Sequence, residues 1–306
     1  MKKHQPAYLK SHSDGTLAKK LAAANARLQH CDLCPRRCLV NRQAGEKGFC
    51  GAGADLKISS YNAHFGEEPP ISGTHGSGTI FFTGCNLRCV FCQNYPISQL
   101  GHGQPFTVRE LADIMLELKK RKCHNLNLVT GAIYLPQILS ALELAIKEGF
   151  DLPLVYNCSG YESLDALELL DGIVDIYLPD AKYNDPRMSK KYSQSADNPE
   201  INKLALKEMY RQVGDLILDE EGLAVRGLII RHLVLPENIA GSEQVLEFIA
   251  KEISAQTFLS LMAQYHPAHL ASNFPELSRR LTKPEYERVV DKLHELELDN
   301  GWCQEL

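Results

Sequence analysis

From residue 79 onward, short apolar runs alternate with helical patterns, and this alternation limits the fold more than any other feature of the chain. Thr79-Ile80-Phe81-Phe82-Thr83 reads as the first strand, and Thr107-Val108-Arg109-Glu110 has capping-box spacing that opens a helix with Leu111, Ile114, Met115 and Leu118 on one side. Leu126–Thr130 is a strand, 136–148 a helix, Leu152–Tyr156 a strand, 163–171 a helix and Ile173–Leu178 a strand. Asn198-Pro199 starts the next helix, with Asn as the cap and Pro in the first turn. Leu216–Asp219 and Val225–Arg226 form a hairpin arm around Gly222, ahead of a strand at Gly227–Leu235. A helix at 242–254, a strand at Thr257–Met262 and a last helix from Thr282 to 298 complete the series. Six strand–helix units in succession imply an α/β fold with a parallel sheet and right-handed crossovers. Six are two short of a closed eight-fold barrel, and an open doubly wound sheet has the same order along the chain. Periodicity alone does not separate the two.

The first quarter of the chain reads differently. Residues 13–30 have the pattern of one helix, with Ser13 or Asp14 as cap and Leu17, Leu21, Ala24 and Leu28 on one face. Residues 31–78 carry no sustained period and are rich in Cys, Gly and Pro. They read as a small module that a bound metal would stabilise, since they hold too few apolar residues for a core. The expected division is therefore 1–78, a helix with a Cys-rich module and connector, and 79–306, the β/α core. At 44% hydrophobic and 23% charged, the 306 residues exclude a disordered chain, a collagen-like repeat and a coiled-coil rod. A net charge of −5 offers no general attraction for nucleic acid. With no apolar segment after the basic start and no run of about 18 apolar residues, the expected setting is the cytoplasm, away from membranes.

Seven of the ten cysteines lie between Cys31 and Cys92, in two groups. Close Cys spacing in a cytosolic protein points to metal more often than to disulfides. Cys85-x3-Cys89-x2-Cys92 follows the first strand. Three thiolates on one short loop fit a 4Fe–4S cube, which normally has four protein ligands, and leave one iron open for a reactant. The other possibility is zinc with its fourth ligand elsewhere, such as a His. Cys31-x2-Cys34-x3-Cys38-x11-Cys50 supplies four ligands. It has three readings: a second iron–sulfur cluster that relays electrons, a structural zinc, or loose thiols in a flexible segment.

Gly84-Cys85-Asn86-Leu87-Arg88-Cys89-Val90-Phe91-Cys92-Gln93-Asn94 resembles the signature loop of the radical S-adenosylmethionine (radical SAM) superfamily. Cys31-Asp32-Leu33-Cys34-Pro35-Arg36, Glu67-Glu68-Pro69-Pro70-Ile71-Ser72-Gly73, Tyr177-Leu178-Pro179-Asp180 and His232-Leu233-Val234-Leu235-Pro236 are similar to its PflX-like branch, relatives of the pyruvate formate-lyase activating enzymes. The resemblance spans roughly residues 30 to 298. It implies an open (β/α)6 partial barrel of the TIM type. It also implies an oxidoreductase that binds S-adenosylmethionine at the open iron of a 4Fe–4S cluster. One electron then splits the sulfonium C–S bond, and the 5′-deoxyadenosyl radical takes a hydrogen atom from a substrate. A protein or peptide substrate is implied, and an electron donor such as flavodoxin or ferredoxin.

Carried over by residue, Cys85, Cys89 and Cys92 become the cluster ligands and Phe91 lies near the adenine. Many members hold the methionyl amino group with Gly-Gly-Glu after the second strand; here that place reads Val129-Thr130-Gly131-Ala132, which makes Thr130 the substitute. Asp180-Ala181-Lys182 matches an Asp-x-Lys pair of the activating enzymes, so the resemblance assigns Asp180 to a cation and Lys182 to the methionyl carboxylate. Asn157, near Ser159 after the third strand, stands where those enzymes have an acid. Cys123, Cys158 and Cys303 read as lone thiols, His232 as a packing residue, Tyr265 as a substrate contact, and His64 and His75 as isolated residues of ligand type. Two classes of function are thus weighed: a radical SAM activating enzyme, and a non-catalytic iron–sulfur electron carrier or zinc-stabilised binding protein.

Overall fold

The computed structural model describes residues 4–306. Its strands are β1 (Leu56–His64), β2 (Ser77–Phe82), β3 (Gln104–Phe106), β4 (Leu126–Val129), β5 (Leu154–Cys158), β6 (Ile176–Pro179), β7 (Ile217–Leu218), β8 (Ala224–Leu233), β9 (Phe258–Met262) and β10 (Gly301–Cys303). Its helices are α1 (Ala7–Ser13), α2 (Thr16–Ala26), α3 (Pro69–Ser72), α4 (Tyr95–Ser98), α5 (Val108–Lys120), α6 (Leu135–Lys147), α7 (Leu164–Leu170), α8 (Pro186–Ser193), α9 (Asn198–Val213), α10 (Ser242–Glu252) and α11 (Lys283–Glu295). All six expected strands are present, with ends shifted by a few residues. Side by side they run β2-β4-β5-β6-β8-β9, all parallel, in the order of the chain. A doubly wound sheet reverses that order at a switch point; this one never does, so it is a partial barrel. Antiparallel β1 and β3 form one edge, β10 forms the other, and the two do not pair.

Several local expectations are corrected. The helix expected over 13–30 is two helices, because Gly15 adopts φ 79° between α1 and α2, and the Asp14 carboxylate accepts from the Thr16 N–H at 2.9 Å. The expected cap Asn198 is the first helical residue of α9, and Asp197 holds the cap position. Helix α8 was not anticipated, although Asp185-Pro186 carries its cap and first turn. The capping boxes of α5 and α11 form as their spacing predicts.

The largest departure lies in residues 31–78. Strand β1 runs antiparallel along β2, pairing Tyr61 with Ile80 and Asn62 with Thr79. The boundary expected after residue 78 thus separates two hydrogen-bonded neighbours. Only Leu56 and Ile58 of β1 are fully buried, and a bulge follows Ile58, so the strand leaves little alternation in the sequence. After β1 the chain turns under the barrel, where Glu67–Ser72 form its floor. Side chains alternate along the strands. Leu154, Tyr156, Tyr177 and Leu228 face the helical layer, and Val155, Ile176, Leu178 and Ile229 face inward to meet Ile71. Ile71 is fully buried, a burial that stabilises by about 1.5–3 kcal/mol. The lower barrel is therefore filled with apolar side chains, and its carboxyl mouth is left for polar ones. Among the described residues no helix is long and apolar enough to cross a membrane.

Candidate active site at the carboxyl mouth

The loop after β2 begins at Gly84, whose φ is 103°. A Cβ there would lie 2.7 Å from the Cys50 carbonyl oxygen, so only glycine lets the two cysteine loops approach this closely. Within the loop, the Leu87 N–H donates to Cys85 Sγ at 3.4 Å and the Ser193 hydroxyl to Cys89 Sγ at 3.0 Å. Cys92 Sγ lies 3.2 Å from Ser98 Oγ. The end of α8 pins the loop, since the Val90 N–H donates to the Tyr192 carbonyl at 2.8 Å and the Arg88 N–H to that of Ser193 at 3.3 Å. Burial pushes the Cys85 thiol up to about 12 and also raises Cys89, which the Lys182 ammonium opposes. A metal reverses that preference by taking the thiolate.

This donor set fits a 4Fe–4S cluster. Three thiols sit on successive turns of one loop, the residues between them carry no imidazole or carboxylate, and none of the three is in a disulfide. Among the described residues no three His, Cys, Asp or Glu side chains stand close enough to share a single ion. A cube asks less, because each thiolate goes to a different iron.

Facing this loop is a chain of alternating charges. Lys182 Nζ donates to Asp180 Oδ2 at 2.6 Å, and Arg231 Nε donates to Asp180 Oδ1 at 3.0 Å. Arg231 Nη2 donates to Asn157 Oδ1 at 2.5 Å, and Nη1 to Glu67 Oε2 at 3.4 Å. Asn127 Nδ2 donates to Glu67 Oε1 at 3.1 Å. Burial works against every charge here. For Asp180 the Lys182 and Arg231 cations outweigh it and hold the carboxyl below its ordinary range. For Lys182 the Asp180 carboxylate outweighs it and raises the ammonium. Glu67 ends above the ordinary range, with Arg231 only partly offsetting burial. Behind the chain His232 is fully buried, with Nδ1 2.6 Å from the Ala181 carbonyl oxygen and Nε2 2.8 Å from Ser242 Oγ. A carbonyl only accepts, so Nδ1 carries a proton; burial lowers the ring's pKa and keeps it neutral, which leaves Nε2 to accept from Ser242, and the ring holds the backbone between Asp180 and Lys182.

The other expected residues surround the same mouth. Thr130 ends β4 with φ 62°, an outlier for a β-branched residue, and its N–H donates to the Asn157 carbonyl at 2.9 Å. Ser159 Oγ lies 3.4 Å from Asn86 Oδ1, and Asn86 Nδ2 donates to the Tyr161 carbonyl at 2.7 Å, tying the cysteine loop to the loop after β5. Phe91 is buried edge-on against Tyr265 at 5.9 Å between centroids. The Tyr265 hydroxyl donates to the Leu277 carbonyl at 2.6 Å, so its polar end is already engaged.

Cys31, Cys34, Cys38 and Cys50 lie on the turns after α2, near enough to act on one another electrostatically, although no three of them stand close enough to share one ion. The Cys31 N–H donates to the Val40 carbonyl and the Leu39 N–H to that of Cys31, both at 3.0 Å, and the Phe49 N–H reaches Cys38 Sγ at 3.4 Å. Burial raises the Cys34 and Cys50 thiols, and Cys31 acts on both. Two arginines clamp this turn to the mouth. Arg36 Nε donates to the Asn86 carbonyl at 2.9 Å, and Arg42 Nη1 donates to that of Ile133 at 2.7 Å. From the other side Arg88 donates to the Phe49 carbonyl, with both Arg36 and Arg88 stacked on the Phe49 ring.

The remaining thiols lie elsewhere. Cys123 is buried, Cys303 is exposed on β10, and Cys158 faces the helical layer beside Glu162 and Tyr156, where burial raises it strongly. His64 packs edge-on against Phe81, and His75 lies tilted against His124 with 5.3 Å between ring centroids. Sequence reasoning missed both Glu67 and Arg231 as site residues. A signal was present: Arg231 interrupts the apolar run Leu228-Ile229-Ile230 of a central strand, and a charge there requires a buried partner.

Residues 79–249 match the radical SAM superfamily. The chain is 33% identical over 291 residues to Uncharacterized protein MJ0674 of Methanocaldococcus jannaschii, covering 92% of this chain and 79% of that protein. It is 23% identical over 264 residues to Uncharacterized protein MJ0808 of the same organism, covering 80% of this chain and 73% of the relative. The matched segment begins within β2 and takes in the cysteine loop, Asp180, Lys182 and Arg231 on a singly wound open barrel, and the chain belongs to the radical SAM superfamily.

Proposed function

We propose that this radical SAM enzyme acts as an activating enzyme on a protein or peptide, with Cys85, Cys89 and Cys92 holding its 4Fe–4S cluster and Lys182 receiving the methionyl carboxylate. The observation that carries this reading is Lys182, held by Asp180 at the end of β6 and close enough to the cysteine loop for its charge to oppose the rise in the Cys89 thiol. When bound, the cluster and S-adenosylmethionine supply reductive C–S cleavage and hydrogen abstraction. The protein's own part is to orient and to exclude water. Asp180 and His232 fix Lys182, Phe91 and Tyr265 form an apolar wall, and the filled lower barrel leaves the carboxyl mouth as the approach. Asn157, Ser159 and Thr130 line that mouth. A polypeptide substrate is favoured by the open groove of about 540 Å³ beside the loop, lined by Asn184, Met188, Tyr192, Glu237, Ile239 and Glu276. The resemblance to the PflX-like branch supports an activase-like role.

For the N-terminal four, the contact between the two cysteine loops favours a second redox centre over a structural zinc. Such a centre would pass electrons from a donor such as flavodoxin or ferredoxin. Ten unpaired cysteines agree with a reducing, cytoplasmic setting. The test is anaerobic reconstitution with iron and sulfide, followed by S-adenosylmethionine and a strong reductant. Wild type should release 5′-deoxyadenosine. The Cys85→Ala/Cys89→Ala/Cys92→Ala variant should release none and keep only the N-terminal metal, iron if that site is redox-active and zinc if structural. Release by the triple variant, or iron equal to wild type, would overturn the assignment.

A further inference from the structure

We infer that Ser193 and Tyr183 form a hydroxyl chain that tunes the catalytic cluster through Cys89, raising its reduction potential by hydrogen bonding to the ligand sulfur. The inference rests on the reading of Cys85, Cys89 and Cys92 as ligands of the 4Fe–4S cluster. The Ser193 hydroxyl lies 3.0 Å from Cys89 Sγ, and the Tyr183 hydroxyl lies 2.8 Å from Ser193 Oγ. A ligating cysteine is a thiolate, which only accepts. Ser193 therefore spends its single proton on Cys89, and Tyr183 donates to Ser193 Oγ. The direction of the chain is thus set by the ligand sulfur. A donor polarised by a second donor is a stronger one. Both residues are buried, so water does not compete for either hydroxyl.

Two backbone bonds fix the approach of the hydroxyl. The Arg88 N–H donates to the Ser193 carbonyl at 3.3 Å and the Val90 N–H to that of Tyr192 at 2.8 Å, so the residues on either side of Cys89 are tied to the end of α8. Tyr183, Tyr192, Val90 and Phe91 then pack in one buried cluster. The other two sulfurs have contacts of their own. Leu87 gives Cys85 a backbone N–H at 3.4 Å, and Ser98 Oγ lies 3.2 Å from Cys92 Sγ. Cys89 receives the shortest of the three and has a second hydroxyl behind it. The Lys182 ammonium acts on the same sulfur through space, and removing the hydroxyls leaves it in place. An added electron makes the cluster more negative, so a hydrogen bond to its sulfur is stronger after reduction than before. Such bonds are among the levers that set the potential of an iron–sulfur cluster. The electron still comes from the donor; the chain makes it easier to accept.

The experiment is a potentiometric titration of the anaerobically reconstituted full chain, followed by electron paramagnetic resonance. The signal that S-adenosylmethionine perturbs identifies the cluster with the open iron and separates it from a centre on the N-terminal four. Ser193→Ala should lower the midpoint of that cluster. The ratio of reduced to oxidised cluster at a fixed potential should fall by up to about tenfold, the weight of one hydrogen bond to a charged group, which is about 59 mV for a one-electron couple. Tyr183→Phe keeps the serine donor, removes its polarisation and should lower the midpoint by less. Ser189→Ala removes a buried hydroxyl one turn earlier on α8 that has no partner, and it should leave the midpoint where it is. A Ser193→Ala midpoint equal to wild type or above it overturns the inference. So does a Ser189→Ala shift as large as that of Ser193→Ala, which would mark the effect as one of helix packing. If Ser193→Ala does not fold or bind iron, Tyr183→Phe decides alone, and an unchanged midpoint there overturns the chain. If S-adenosylmethionine perturbs no signal, or the Cys85→Ala/Cys89→Ala/Cys92→Ala variant keeps as much iron as wild type, the reading of the cysteine loop fails, and the inference with it.

Discussion

Arg36 Nε donates to the Asn86 carbonyl oxygen across 2.9 Å, and this bond joins cysteine loops whose residues lie 50 positions apart in the chain. Arg36 follows Cys34 by two residues, and Asn86 follows Cys85 directly. The guanidinium also lies 3.9 Å over the Phe49 ring, so one side chain fixes both distance and orientation. Arg36→Ala should cost about 1.5–3 kcal/mol for the bond and about 0.5–1 kcal/mol for the ring contact. Limited proteolysis should then cut residues 31–55 faster while the β/α core stays resistant. Unchanged cutting would mean that the N-terminal turn is held by other contacts.

Lys182→Met keeps most of the side-chain volume and removes the charge. Asp180 retains Arg231, so the barrel mouth should stay folded. A charge-assisted hydrogen bond of about 1.5–3 kcal/mol corresponds to about tenfold or more in affinity for S-adenosylmethionine. Iron content should not change. Calorimetric titration of the reconstituted variant reads both, and equal affinity would return Lys182 to the role of a plain ion-pair partner.

His232 gives the protein an acid-sensitive element. Burial lowers its pKa to about 4, with the Ala181 carbonyl opposing, against an unfolded value of about 6.5. The unfolded chain therefore binds a proton that the folded ring refuses. The stability from this residue is fully present above pH of about 6.5 and is lost as the pH falls toward about 4. Between pH 7.5 and 5 the loss amounts to about 2 kcal/mol. Denaturant unfolding at the two pH values should show a drop smaller by about that amount in His232→Gln. An equal drop in both proteins would show that other groups carry the acid sensitivity.

Thr130 sits at φ 62° where β4 meets the mouth. A left-handed conformation costs a β-branched residue about 1–2 kcal/mol. Thr130→Gly removes that strain and should raise the melting temperature. If the strained backbone presents the threonine hydroxyl to S-adenosylmethionine, affinity should fall in the same variant. A stabilised variant with full affinity would mark Thr130 as a strained turn and nothing more.

What the sequence determined by itself is what local physics encodes. Apolar periods placed the six parallel strands, turn and cap residues placed most helices, and x3/x2 cysteine spacing marked the loop that bears the chemistry. These signals lie within a few residues of one another, so one stretch of chain carries each of them. The tertiary structure decided whatever depends on residues far apart. The nearly aperiodic β1 becomes a strand only because β2 offers its hydrogen-bonding edge. Glu67 becomes a site residue only because the buried Ile71 anchors its segment inside the barrel, 164 residues from Arg231. Asp180 gives one oxygen to its chain neighbour Lys182 and the other to Arg231, which only the adjacent strand, 51 residues on, brings to it. Pairing of distant buried charges is a property of the folded lumen, where desolvation makes each charge require its opposite, and sequence order does not say which distant residues will meet.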